Sequence, residues 1–260
     1  MLNINSVFTL NNKQKMPLLG LGVWQIPSGH ATEQAVRWAL QAGYRHIDTA
    51  RFYKNEASVG KAIRSSGISR EKIWVTTKIW PTDFYRAQKI FDESLNRLGL
   101  DYIDLYLIHW PIPGLEKRNW KIMENIYERG SVKAIGVSNH SISQLKKIFS
   151  IAHIPPAVNQ VKCSPFNFKP EMHEFCDNNS IALEAYSPLT RGKKLGDKQV
   201  AGIAKKYKKS PSQILIRWAL QKQIIVIPKS DKEQHIIENS KVYDFEIQKD
   251  DVLMLDNLAK

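Results

Sequence analysis

The sequence predicts an α/β fold, a (β/α)8 TIM barrel with an N-terminal β-hairpin and two extra helices. Three observations predict it. Eight short apolar runs alternate with eight amphipathic helical windows. The length of 260 residues matches the roughly 250 that such a barrel uses as one domain. Three successive runs each carry a titratable residue next to their end, and C-terminal strand ends are where barrels carry their chemistry. No Pro- or Gly-rich linker divides the chain, so one domain over 1–260 is expected.

The polar turn Asn11-Asn12-Lys13-Gln14-Lys15 separates the short runs 6–10 and 16–19, which read as the opening hairpin. Strands are expected at 18–24, 45–49, 74–79, 104–110, 134–138, 157–161, 182–186 and 224–228. The helices between and after them are expected at 32–41, 56–65, 84–97, 120–129, 141–151, 169–178, 211–221 and 231–240. Windows 198–207 and 248–258 fall outside this alternation and supply the extra pair. A doubly wound sheet is the competing fold. Its phosphate-binding turn needs a third glycine, and Gly20-Leu21-Gly22-Val23-Trp24-Gln25 has Gln25 in that place.

A net charge of +13 and a pI near 9.6 favour anionic partners, among them nucleic acid, an anionic membrane surface or a phosphorylated small molecule. Lys205, Lys206, Lys208 and Lys209 crowd around Tyr207, which reads as a solvated helix end. No helix-turn-helix, zinc-finger or RNA-binding aromatic motif accompanies them, so no nucleic-acid partner is expected. The two cysteines, Cys163 and Cys176, form no CxxC and no ligand set with nearby histidines, so no metal is expected. The start of the chain has no apolar leader, and no window approaches the roughly 20 apolar residues of a membrane span. The expectation is a cytoplasmic monomer with no membrane partner.

Residues two apart share a strand face. Asp48 therefore shares its face with His46, Lys78 with Thr76, and His109 with Leu105 and Leu107. A carboxylate, an ammonium and an imidazole thus finish consecutive strands, with Tyr53 in the loop just beyond the first of them. Singly, each has an ordinary reading: a helix N-cap at Asp48 or Thr49, a solvent-facing lysine, a packed histidine before Trp-Pro. Together they suit proton donation by a phenol. A free tyrosine titrates near 10, too high for efficient acid–base work near neutrality. A lysine cation about 4 Å away favours phenolate by up to about 4 kcal/mol at an effective dielectric near 20. That could lower the pKa by up to about 3. Asp48 would keep the buried lysine charged while cancelling part of its pull.

Gly43-Tyr-Arg-His-Ile-Asp-Thr-Ala50 with Tyr53 and Asn55-Glu56, then Val75-Thr-Thr-Lys78, Asp104-Leu-Tyr-Leu-Ile-His-Trp-Pro111, Ala134-Ile-Gly-Val-Ser-Asn139, Asn159-Gln160, Ala185-Tyr-Ser-Pro188 and Ile227-Pro-Lys-Ser230 resemble the signatures of the aldo-keto reductases, in family order and over nearly the whole chain. The resemblance implies a carbonyl reductase with Tyr53 as general acid, Asp48 and Lys78 tuning it, and His109 positioning the carbonyl. It implies that Ser138, Asn139 and Gln160 hold the nicotinamide carboxamide and that Tyr186 stacks on its ring. Ser187 and Leu189 would line the pyrophosphate path. Lys229, Ser230, Lys232, His235, Glu238 and Asn239 would take the adenosine end. Trp24, Trp80 and Trp110 look like aromatic walls of a pocket for a small-molecule carbonyl substrate.

The chain also departs from the pattern. NADPH-preferring members commonly carry arginine where this chain has His235, and histidine lacks the fixed charged fork of arginine. Lys229 and Lys232 remain, so NADPH is expected, with NADH use also open. Lys162-Cys163 and His140 replace residues common in relatives. The segment 111–120 is short and the chain stops at Lys260, soon after its last helix, which implies an open pocket. That suits aldehydes, dicarbonyls or keto sugars, as in the bacterial-type diketogluconate and methylglyoxal reductases. Two other readings compete: a nicotinamide-binding regulatory protein like the channel β-subunits, and a metal-dependent barrel hydrolase, for which His30, His140, His153, His173 and His235 supply no convincing ligand set.

Overall fold

The computed structural model describes residues 2–259; Met1 and Lys260, part of the expected 1–260 domain, lie outside the described residues. Strand β1 (Val7–Thr9) pairs antiparallel with β2 (Lys15–Pro17) as the opening hairpin. The barrel strands are β3 (Leu21–Gly22), β4 (His46–Asp48), β5 (Trp74–Ile79), β6 (Ile103–Ile108), β7 (Val132–Ser138), β8 (Val158–Lys162), β9 (Ala182–Tyr186) and β10 (Ile225–Ile227). Each is parallel to the next, and a Leu19–Val226 bridge joins the two ends of the sheet into a barrel.

The first strand differs from its expected span of 18–24. Its ladder to β4 covers only Leu21 and Gly22. Residues before it face the other neighbour: Val226 N donates to Leu18 O at 2.8 Å and Gly20 N to Val226 O at 2.9 Å. Beyond it, Gln25 adopts φ 62° and Ile26 N turns back onto Val23 O, which ends the strand. Barrel closure, a contact between chain ends, thus claims residues that a local pattern assigns to one strand.

The helices are α1 (His30–Gln41), α2 (Glu56–Arg64), α3 (Ala87–Leu98), α4 (Glu116–Glu128), α5 (Ile142–Phe149), α6 (Pro170–Asn178), α7 (Lys198–Tyr207), α8 (Pro211–Gln221), α9 (Glu233–Ser240) and α10 (Lys249–Asp256). Helices α7 and α10 are the expected extra pair. Capping boxes start two helices: Ser141 with Gln144 on α5, and Ser210 with Gln213 on α8, where Pro211 fits the first turn. The crowded lysines sit at the C-terminal end of α7, where Lys206 pairs with Asp251 at 2.8 Å and Lys209 with Asp244 at 2.5 Å.

One apolar cluster fills the seam between strands and helices, drawing on β5, β6 and β7 and on the inner stripes of α1, α3 and α8. Its packing leaves little slack. A Cβ on Gly60 of α2 would lie 1.8 Å from the Leu98 carbonyl oxygen, so only glycine lets α2 approach the end of α3. The barrel interior near the C-terminal mouth is polar instead: His46, Asp48, Thr76, Lys78, Gln160 and Glu184 are all buried. Among the described residues, no helix is long and apolar enough to cross a membrane.

Candidate active site

Asp48 is the last residue of β4, and Lys78 lies near the end of β5 beside it. The Lys78 ammonium donates to both Asp48 carboxylate oxygens at 2.7 Å and to Thr49 O at 2.8 Å. Its fourth neighbour is the Tyr53 hydroxyl at 3.4 Å. Tyr53 reaches back because Arg51–Tyr53 form one tight helical turn, ended by Lys54 at φ 59°. Asn55 braces that turn: it accepts from Thr49 Oγ1 at 2.7 Å and donates to Val23 O at 3.0 Å. Helix α2 then opens at Glu56, so the N-cap reading of Asp48 fails and the carboxylate serves the interior. His109 follows β6 and meets the Tyr53 ring edge-on, with centroids 5.5 Å apart. Its imidazole has no hydrogen-bond partner among the described residues.

Burial alone would discharge Lys78, but Asp48, together with Tyr53 and Glu184, more than offsets this and holds the ammonium above its ordinary range. Burial pushes Asp48 up, against the hydrogen bonds from Lys78 and Gln160. The expectation for Tyr53 is overturned in the ligand-free protein. Its phenol is not brought toward neutrality but pushed up to about 12. Burial is the main cause, and Asp48 cancels much of the pull of Lys78. His109 is lowered to about 3 by burial and then by Lys78, so its ring is neutral at pH 7.

Beside these four, Ser138 Oγ donates to Gln160 O at 2.8 Å, and Asn139, at φ 62°, donates to Ser138 Oγ at 3.0 Å and to His109 O at 3.1 Å. Tyr186 hydroxyl donates to Asn139 Oδ1 at 2.8 Å, which fixes its ring at the mouth. Gln160 spends both amide protons on carboxylates, Asp48 Oδ2 at 2.8 Å and Glu184 Oε2 at 2.9 Å. Its carbonyl oxygen is left for the cavity.

A single cavity of about 560 Å³ is lined by all of the sequence-predicted residues except Lys78, which lies buried beneath it. Asp48, Tyr53 and His109 stand with the three tryptophans, Trp24, Trp80 and Trp110, at one end. Ser138, Asn139, Gln160 and Tyr186 follow, then Ser187 and Leu189. Lys229, Ser230, Lys232, His235, Glu238 and Asn239 form the far end, where Asp231 pairs with Lys229 at 3.2 Å. An elongated trench with two lysines at its far end and a carboxamide-sized polar set fits a nicotinamide dinucleotide.

Sequence reasoning missed several residues. Phe52 stacks on Trp80 at 4.2 Å between centroids, and its position between Asp48 and Tyr53 was a usable signal. Glu184 sits two before Tyr186, hence on the same strand face, and the period-2 rule could have found it. Arg191 lies over the Trp24 ring at 4.5 Å from a loop with no local signature. Cys163 and Cys176 are buried and free.

The model for the Aldo/keto reductase family matches residues 18–260. The chain is 47% identical over 261 residues to the 9,11-endoperoxide prostaglandin H2 reductase of Trypanosoma cruzi, covering 98% of this chain and 92% of that one. It is 41% identical over 260 residues to the glyoxal reductase of Bacillus subtilis, covering 99% and 94%. A crystal structure of an aldo/keto reductase from Brucella melitensis superposes with a TM-score of 0.92 at 43% identity, covering 97% of this chain and 98% of that one.

Proposed function

This chain belongs to the aldo/keto reductase family and is a nicotinamide-dependent oxidoreductase, and from that premise we propose that it reduces small aldehydes and dicarbonyls with NADPH, using Tyr53 as the proton donor. The observation that carries this reading is the Tyr53 hydroxyl at the cavity floor, 3.4 Å from a lysine that Asp48 keeps charged. The bound dinucleotide supplies the hydride. Everything else falls to side chains. Trp24, Trp80, Trp110 and Phe52 exclude water and present the carbonyl edge. The neutral His109 ring donates one hydrogen bond to the carbonyl oxygen and points it at Tyr53. A phenol near 12 stays protonated at neutral pH, so Tyr53 is loaded as an acid. It still holds its proton less tightly than an alcohol does, so transfer to a developing alkoxide is downhill. Lys78 then stabilises the phenolate left behind. Gln160 Oε1, Asn139 and Ser138 orient the carboxamide, and Tyr186 supports the ring.

Two features support the finer assignments. Lys229 and Lys232 favour a 2′-phosphate; Asp231 forms an ion pair with Lys229, and among the described residues Lys232 forms none. Similarity to a glyoxal reductase and an aromatic pocket with few polar groups favour small dicarbonyls. The test is the loss of reduced-nicotinamide absorbance when protein, NADPH or NADH, and a panel of carbonyls are mixed. Tyr53→Phe is expected to lower turnover by at least about 10³-fold while still binding NADPH. Turnover within tenfold of the parent would remove Tyr53 from the role.

A further inference from the structure

Glu184 is a fully buried carboxyl that the proposed chemistry leaves unused. It projects from β9 into the barrel interior, level with Gln160 of β8 in the strand register. One of its oxygens accepts a Gln160 amide proton at 2.9 Å. The other, Oε1, has no hydrogen-bond partner among the described residues and lies 3.6 Å from His46 Nε2. A chain of contacts therefore runs Glu184, Gln160, Asp48, Lys78, Tyr53 across the barrel. The groove for the His46 ring is also built: a Cβ on Gly20 would lie 2.5 Å from His46 Nδ1.

The geometry points to Glu184 as a positioning residue of the reductase site: it locks the Gln160 amide with its carbonyl toward the nicotinamide carboxamide, and its proton sets the charge of the Asp48–Lys78–Tyr53 group. This rests on the functional reading above. With Asp48 ionised and Lys78 charged, a protonated Glu184 leaves the buried cluster neutral. Loss of that proton gives it a net negative charge, which makes Tyr53 hold its own proton more tightly. Burial, and then the Asp48 carboxylate, push Glu184 up to about 8, consistent with a proton carried at neutral pH. The titratable and charged groups around it are His46, Asp48, Lys78 and Tyr53; β10 on its other flank contributes only Ile225, Val226 and Ile227. His46 is lowered to about 3 by burial and Lys78, so it stays neutral and does not take the proton outright.

Three measurements test this. In the infrared spectrum of the ligand-free protein, a buried carboxylic C=O band should be present at pH 7, vanish as pH rises through about 8, and be missing in Glu184→Gln. Its absence in the parent overturns the proposal whatever the protein catalyses. In NADPH titrations followed by tryptophan fluorescence, Glu184→Ala should weaken binding about tenfold, with Glu184→Gln restoring most of it because glutamine still accepts from Gln160. Unchanged affinity in Glu184→Ala overturns the locking role, and if alanine does not fold, the infrared comparison with Glu184→Gln decides. In the pH profile of carbonyl reduction, the parent should lose about tenfold in kcat above pH 8, an inflection that Glu184→Gln abolishes. An inflection kept in Glu184→Gln overturns the charge role. Failure of both parent and variant to oxidise NADPH with any carbonyl would instead sink the functional reading, leaving the infrared result standing.

Discussion

Two buried aspartates at opposite ends of the barrel show how one scaffold separates stability from chemistry. Asp104 is the second residue of β6, at its N-terminal end. It receives Arg70 Nη2 at 2.6 Å, Lys133 Nζ at 3.2 Å and the Val75 amide at 2.9 Å. Tyr102 packs between the same two cations, 4.1 Å from Arg70 and 3.9 Å from Lys133. Both oxygens are satisfied, and none of these groups lines the cavity. Asp48 ends β4 at the mouth. It too is satisfied, but its cation, Lys78, reaches on to a tyrosine at the cavity floor, and its amide donor, Gln160, keeps a free carbonyl. The same ion-pair chemistry braces one end and leaves working atoms at the other. The base is also stoppered: Asn11 and Asn12 of the hairpin turn donate to Pro156 O at 3.0 Å and Lys133 O at 2.9 Å.

The sharpest way to break this contrast is to neutralise each aspartate. Asp48→Asn should lose about 10²-fold in turnover, since Lys78 loses the charge that keeps it protonated. Asp104→Asn should keep turnover within about twofold but cost about 3 kcal/mol in denaturant unfolding, because two partly buried cations lose their partner. Equal activity losses would end the division of labour. Gly60→Ala probes the seam between strands and helices rather than either end. It should cost about 3 kcal/mol with turnover per folded molecule unchanged, since the added Cβ collides with backbone.

A pH titration of stability reports on the polar interior. His46 and His109 are lowered to about 3, and His140 to about 4, mainly by burial. The unfolded chain binds protons at these sites below about 6.5, and the folded chain does not until much lower pH. Their stabilisation is thus complete above about 6.5 and is lost as pH falls toward 3, at about 1.4 kcal/mol per histidine per pH unit. A thermal midpoint that stayed level between pH 7 and 5 would contradict their neutral burial. The smallest expected effect lies at the far end of the trench. His235→Arg should raise the NADPH-to-NADH preference in kcat/KM by about tenfold, through a charged fork suited to a 2′-phosphate. No change would mean that Lys229 and Lys232 alone read the phosphate.

Much of this was legible in the chain, and the exceptions share a cause. Strands β5 and β9 coincide residue for residue with their expected spans. The first barrel strand is shorter than its local pattern predicts, because closure with β10 depends on residues about 200 positions away in sequence. The Asp48, Lys78 and His109 triplet was visible from face-sharing alone. Phe52 and Glu184 stand within the same patterns, whereas the position of Arg191 over Trp24 has no local signal.

By itself, the sequence determined the alternation that builds the barrel, the faces on which His46, Asp48, Lys78 and His109 stand, and the family motifs, all of which depend on spacing within a few residues. Only the tertiary structure decided how strongly Tyr53 holds its proton. Lysine proximity argues for a low value, but desolvation depends on everything packed around the ring, and it outweighs one cation whose charge Asp48 shares. The same holds for the link from Gln160 to Asp48, which joins residues 112 apart in the chain. No pattern of period two or 3.6 can express that contact, because closing the barrel is what creates it.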